Sequence, residues 1–222
     1  MPKRHTPPLA ILLHGLGRSP WSMRLIQRAL VDQGYRVVNL GYPSRAADIT
    51  TLATNVGRQI ATLDGEEPID FVTHSLGGIL LRVAVAARVL SPQRIRRVVM
   101  LGPPNGGSEL ADILPGIPVF GWLYRQITGP AGLELGTAAN GVVGRLPPVS
   151  FDLGVIAGNR SFNPFFSAIL GDANDGKVRV ERTRVEGMKD FLVVPYWHPL
   201  MMLSPKVVAQ VLHYLEAGAF ER

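Results

Sequence analysis

The chain has 222 residues, no cysteine, 46% hydrophobic and 18% charged residues, and a formal net charge of +6. That length builds one sizeable core and leaves little for a second, and the composition is globular and not disordered. Without cysteine there are no disulfides, thiolate metal ligands or cysteine nucleophile; the basic excess is scattered apart from Arg94, Arg96 and Arg97, so it reads as a solvated surface, with weak attraction to an anionic membrane surface as the alternative and no nucleic-acid partner expected.

Lys3 and Arg4 precede the apolar run Leu9 to Leu13. A signal peptide needs about 7–15 apolar residues and a small-residue cleavage site. This run is shorter and ends at His14-Gly15, so it reads as a buried strand. No segment approaches the roughly 18 apolar residues of a membrane span, and the chain as it stands is expected to be soluble and cytoplasmic.

Ser19-Pro20 opens a helix, with serine as N-cap and proline at the first helical position. Leu25, Ile26, Ala29 and Leu30 form its apolar stripe, and Gly34 ends it. Tyr35 to Leu40 follows as a strand, Ile49 to Leu63 as a helix, Ile69 to Thr73 as a strand and Gly78 to Leu90 as a helix apolar all round, hence buried. Ile95 to Leu101 is the next strand. The stretch Asn105 to Pro148 breaks the rhythm with Gly, Pro and short apolar pieces. Leu153 to Ala157 resumes it as a strand, a polar loop and an irregular stretch from Val178 to Glu186 follow, Phe191 to Val194 is the last strand, and Ser204-Pro205 opens the final helix. Alternating strands and helices predict an α/β fold, with a mostly parallel central sheet and helices on both faces. The expected organisation is one domain over 1–222 with a small lid-like insertion at 105–148.

In such sheets ligands bind at the carboxyl ends of the strands. Ile69-Asp70-Phe71-Val72-Thr73-His74-Ser75-Leu76-Gly77-Gly78 reads as strand, tight turn and helix start, the arrangement of a nucleophile elbow. Ser75 would stand clear of the sheet, and the backbone N–H of Leu76 would be the first oxyanion donor. Thr73 occupies a position where the common pattern has Gly, and a β-branched residue there is expected to loosen the turn. His14-Gly15-Leu16-Gly17 follows the first strand, which points to Leu16 N–H as the second oxyanion donor.

The chain has five histidines. His5 lies in a Pro-rich terminus, His14 and His74 adjoin the two turns, and His213 falls opposite the apolar stripe of the last helix at about 100° per residue. His198, beyond the last strand and before the last helix, remains as the base. The acid should lie in the loop before it. Asp175, followed by Gly176 and Val178, is favoured over Asp172. Asp172 to Gly176 superficially has the look of a calcium loop, but Gly at the sixth position and Glu at the twelfth are lacking. No metal site and no phosphate-cradling glycine motif is expected.

His14-Gly15-Leu16-Gly17, Val72-Thr73-His74-Ser75-Leu76-Gly77-Gly78, Asn174-Asp175-Gly176-Lys177-Val178 and His198 resemble the lipase and esterase branch of the α/β-hydrolase superfamily, over nearly the whole chain in order and spacing. Pro103-Pro104-Asn105-Gly106-Gly107-Ser108 is similar to the turn after the following strand in bacterial lipases. The departures are Thr73 and a short chain with room for a modest lid. The resemblance implies a cofactor-free Ser-Asp-His hydrolase working through an acyl-enzyme on a small acyl ester or a lipid, in the carboxylesterase and lipase class. Thioester, amide or acyl-transfer chemistry on the same triad, and a non-catalytic scaffold used for binding, are the alternatives. Phe120, Trp122 and Tyr124 would line an acyl pocket or a lid, or else pack on the sheet.

Overall fold

Consecutive apolar residues leave a strand no polar face, so it must be covered on both sides. β1 (Leu9–Leu13) is such a strand, with all five residues buried. The structure, a computed structural model, describes residues 7–63 and 67–222; Lys3, Arg4 and His5 lie outside the described residues. Beside β1 lie β2 (Arg36–Leu40), β3 (Ile69–His74), β4 (Ile95–Leu101), β5 (Asp152–Gly158) and β6 (Asp190–Val194). The strand order is β2-β1-β3-β4-β5-β6 and every neighbouring pair is parallel. The chain leaves β1 for β2 on one side and returns to β3 on the other. That reversal opens a crevice outside the carboxyl ends of β1 and β3, where open α/β sheets bind ligands.

The two-residue period of a strand divides β1 between two cores. Leu9, Ile11 and Leu13 pack under α2 (Ile49–Ala61) and α3 (Leu76–Ala86). Ala10 and Leu12 pack under α1 (Arg24–Asp32) and α7 (Pro205–Ala217), with Met23, Ile26, Val207 and Val211. Helices thus cover both faces. Each expected strand is present within one or two residues of its expected ends. The helices differ more. A 3-10 turn over Pro20–Met23 precedes α1, and Ser19 makes no side-chain cap bond. Ser204 does cap α7, its Oγ accepting from Val207 N at 3.4 Å. The expected polar loop after β5 holds α6 (Pro164–Leu170), capped by Asn163, whose Oδ1 accepts from Phe166 N at 3.0 Å.

The 105–148 segment carries α4 (Glu109–Ile113) and α5 (Phe120–Leu133), the latter broken at Gly129 ahead of Pro130. Both ends of the segment are held by one side chain. Arg82, buried on α3, donates from Nη1 to Asn105 O at 3.3 Å and Oδ1 at 3.1 Å, and from Nη2 to Leu146 O at 3.4 Å and Pro147 O at 3.1 Å. Burial lowers the guanidinium to about 10, so it stays charged at neutral pH. Among the described residues no helix is long and apolar enough to cross a membrane.

Candidate active site

A residue placed between a strand end and a helix start, with no room to relax, is forced into unusual backbone angles. Ser75 sits there, with φ 52 and ψ −120, outside the regions that L-residues ordinarily occupy. The constraint comes from both sides. A Cβ on Gly77 would lie 2.5 Å from Leu13 O, and one on Gly15 would lie 2.7 Å from His74 Nδ1 and 3.2 Å from Ser75 Cβ. The expectation that Thr73 loosens the turn is not met. Thr73 is buried and Gly78 makes room for it: a Cβ on Gly78 would lie 3.1 Å from Thr73 Oγ1 and 3.0 Å from Met100 Sδ. The helix therefore supplies the missing space that the strand residue does not. Ser75 N donates to Leu101 O at 2.9 Å and extends the sheet ladder to the turn. Leu76 is the first residue of α3, so its N–H is one of those with no acceptor within the helix.

The loop after β1 lies against this turn through Gly15. Its shape is set by His14 and Tyr42, whose rings stack at 4.2 Å and 6°. The Tyr42 hydroxyl donates to His14 O, and Gly17 N donates to Ser44 Oγ at 2.9 Å. Leu16 follows directly and lines the same cavity as Ser75. His14 is buried, and burial lowers its pKa; its ring serves this loop.

Asp175 is fully buried. Its Oδ1 accepts from Lys177 N at 2.9 Å and Val178 N at 2.8 Å. Its Oδ2 lies 2.6 Å from His198 Nδ1, and its carbonyl accepts from His198 N at 3.0 Å. Gly102, at the end of β4, leaves space for this pair: a Cβ there would lie 3.0 Å from His198 Nδ1 and 3.1 Å from Asp175 Oδ2. Asp172 is elsewhere, 87% exposed and 3.4 Å from Arg179 Nη1. Ser108 braces the acid loop from the insertion, its Oγ donating to Lys177 O at 2.7 Å. The Pro103 to Ser108 motif thus has a mechanical role that the sequence alone did not reveal.

The structure gives the other histidines distinct places. His74 is buried, and its Nε2 donates to His198 O at 3.1 Å. Burial, then the charge of His198, holds its pKa well below the usual histidine value. His74 is therefore neutral and ties down the backbone of His198, a contact that its position beside Ser75 did not suggest. His213 Nδ1 bonds Ala219 O at 2.8 Å on α7, and His213 is absent from the cavity wall.

Ser75, His74, His198, Leu16 and Tyr124 line one cavity of about 310 Å³ at the crevice between β1 and β3. Its apolar lining includes Leu110, Ala111, Ile127, Leu135 and Val178, and it also carries Arg18, Arg45 and Lys177, which no motif marks. Of the three insertion aromatics, Tyr124 is on this wall. Phe120 and Trp122 are 53% and 67% exposed and lie outside it, Phe120 stacking on Phe165 at 6.1 Å. A larger hollow of about 640 Å³ between Arg82 and Phe151 contains none of these residues. Among the described residues no group of three or more His, Asp or Glu is placed to hold a metal ion.

Comparison with known proteins agrees with this architecture. A profile described as the alpha/beta hydrolase family matches residues 10–213. No curated protein matches in sequence. Among solved structures, a lipase of Bacillus licheniformis, BlEst2 in its mature form, superposes with a TM-score of 0.70 at 20% identity, over 98% of this chain and 94% of that one. The metagenomic carboxyl esterase MGS0156 gives 0.69 at 20% identity, over 87% of this chain and 65% of that one. The phospholipase PlaB of Legionella pneumophila gives 0.62 at 16% identity, over 79% of this chain and 45% of that one. At these identities the shared property is the fold.

Proposed function

From the premise that the chain belongs to the alpha/beta hydrolase family, we propose that it is a serine hydrolase that cleaves carboxylic esters through an acyl-enzyme on Ser75. The observation that carries this reading is the 2.6 Å contact of Asp175 Oδ2 with His198 Nδ1, made by two buried side chains, with His198 on the same cavity wall as Ser75. A carboxylate that accepts a hydrogen bond from Nδ1–H holds the proton on Nδ1 and leaves Nε2 as the free acceptor, and a base needs that tautomer.

In this mechanism His198 Nε2 takes the Ser75 proton as Oγ attacks the ester carbonyl. The N–H groups of Leu16 and Leu76 receive the oxyanion, and each such donor is worth about 3 kcal/mol of barrier. His198 then protonates the departing alcohol. Water, deprotonated by His198, attacks the acyl-enzyme, and collapse of the second tetrahedral intermediate frees the acid and restores Ser75. Asp175 keeps its charge throughout and stabilises the imidazolium. The superposed proteins, a lipase, a carboxyl esterase and a phospholipase, are in keeping with ester chemistry. A cavity of about 310 Å³ is at the small end for ligand sites, which favours a short acyl group. The α5 region, with Tyr124 facing the cavity and Phe120 and Trp122 facing out, would cover the site as a small lid.

The test is labelling by a fluorophosphonate probe, followed by a panel of esters and thioesters of graded chain length. Ser75→Ala is expected to abolish labelling and ester turnover while the circular dichroism spectrum is retained. Undiminished turnover in that variant would overturn the assignment.

A further inference from the structure

Among the described residues three exposed cations stand on the wall of the Ser75 cavity, Arg18, Arg45 and Lys177, and no carboxylate lines it. The nearby acids are engaged elsewhere, Asp112 among them, which lies near Tyr124 and accepts from Thr137 N at 3.1 Å and Thr137 Oγ1 at 2.7 Å. Asp175 is held by His198, Glu109 pairs with Arg179 at 3.2 Å and Arg182 at 3.1 Å, and Glu134 accepts from Ile49 N at 2.7 Å. Among the described residues none of the ion pairs includes Arg18, Arg45 or Lys177. Lys177 Nζ instead lies over the Phe166 ring, 4.7 Å from its centroid.

Arg18 acts on Lys177 and on the reaction centre. Burial lowers the Lys177 amine, Asp175 offsets that, and Arg18 lowers it further. Burial and His198 lower His74 beside Ser75, and Arg18 adds to that as well. All three side chains are exposed, so water screens their mutual repulsion, but a cavity mouth lined by one sign of charge favours an anion there. Apart from the cations, the site residues and Ser108, Tyr124 and Thr128, the rest of the wall is apolar, with Leu16, Leu110, Ile127 and Leu135.

We propose that the substrate of this site is an ester carrying a fixed anionic group, a carboxylate or a phosphate, which Arg18, Arg45 and Lys177 bind while a short apolar chain fills the rest of the cavity. The proposal rests on the hydrolase reading above and narrows its substrate class. A neutral ester of the same shape leaves the three cations uncompensated and is turned over less efficiently. Charge-assisted hydrogen bonds to the anion give a preference of roughly tenfold or more in kcat/KM. The preference falls as added salt screens the cations.

The experiment compares two matched pairs on the full chain. The first sets the para-nitrophenyl half-ester of glutaric acid against para-nitrophenyl valerate, which places the anion on the acyl side. The second sets monobutyrylglycerol phosphate against monobutyrylglycerol, which places it on the alcohol side. A salt-sensitive preference of tenfold or more for the anion in either pair supports the proposal, and the pair that shows it identifies the side. In the Arg18→Gln, Arg45→Gln double variant that ratio is expected to collapse towards one. Arg125→Gln, an exposed cation on α5 that is absent from the cavity wall, is expected to keep it. Equal turnover within both pairs overturns the proposal and leaves the hydrolase reading intact, and so does an equal loss in the Arg125 variant, which would mark long-range steering only. Absence of both labelling and turnover overturns the hydrolase reading, and the proposal with it.

Discussion

Gly77→Ala tests whether the nucleophile turn is held by the strand beneath it. The added methyl would lie 2.5 Å from Leu13 O, 2.9 Å from Leu13 Cβ and 3.0 Å from His14 O, whereas ordinary contact begins at 3.4 Å. The deficit of about 0.9 Å is against backbone on a central strand, so no rotamer change relieves it. Overpacking of this kind costs about 1–3 kcal/mol. In a chain of this size each kcal/mol shifts the melting temperature by about 2–4 °C. The displacement falls between Ser75 and the Leu16 loop, the two parts that must meet on the substrate carbonyl. A misplacement of about 1 Å in a reacting constellation costs on the order of a hundredfold in rate. Urea titration and ester kcat/KM measure the two effects separately. Gly116→Ala is the control, since nothing lies within 4 Å of a Cβ there, and it is expected to stay within about 0.5 kcal/mol of the parent. Parental stability and kcat/KM in Gly77→Ala would refute the argument that strand and turn are in contact.

Asp175→Asn is expected to lower kcat by about 10⁴ at neutral pH. The two N–H groups of Lys177 and Val178 on Oδ1 require the amide oxygen there, which turns the NH₂ toward His198 Nδ1 and forces the wrong tautomer. Asp172→Asn, which disturbs only an exposed ion pair, is expected to change kcat/KM by less than about twofold; a large loss there with a small one at Asp175 would reverse the assignment of the acid. Buried, neutral His74 and His14 also predict a pH dependence of stability. Their folded pKa values lie below the ordinary value of about 6.5, so their contribution is complete above that pH and is lost as pH falls toward the folded values. The urea midpoint is expected to drop between about pH 7 and pH 5.5, and to drop less in His74→Gln; an unchanged slope in that variant would rule His74 out as the source.

The inner strands were legible because burial on both faces demands unbroken apolar runs such as Leu9–Leu13 and Val98–Leu101, whereas the edge strands β2 and β6 are mostly half-exposed and were read from their place in the alternation of strands and helices. Helix ends were less legible. α3 begins at Leu76, since the turn itself starts the helix, whereas periodicity registers only after Gly78. The Asn163-Pro164 cap and first-position signal of α6 was present, but seven residues are too few for an apolar stripe to stand out. His198 emerged by elimination, and the structure gives it a buried carboxylate partner. Phe120, Trp122 and Tyr124 were grouped by proximity in sequence. On a helix, residues two apart point about 200° from one another, which is why Trp122 is exposed while Tyr124 reaches the cavity. Arg18, Arg45 and Lys177 were not legible, since their convergence depends on three loops that no local pattern connects.

The Arg82 anchor has a bearing on how this molecule could diversify. One guanidinium fixes Asn105 and the Leu146-Pro147 carbonyls to the helix that follows Ser75. The ends of the intervening chain are thus set independently of its contents. Closing a chain between two fixed points costs only about 0.6 kcal/mol for each doubling of its length. A lineage that keeps the arginine can therefore change the length of the exposed stretches between those ends at little entropic penalty, provided that Ser108, which braces the acid loop, and Ala111, Ala131, Leu135 and Val143, which are buried in the core, are kept.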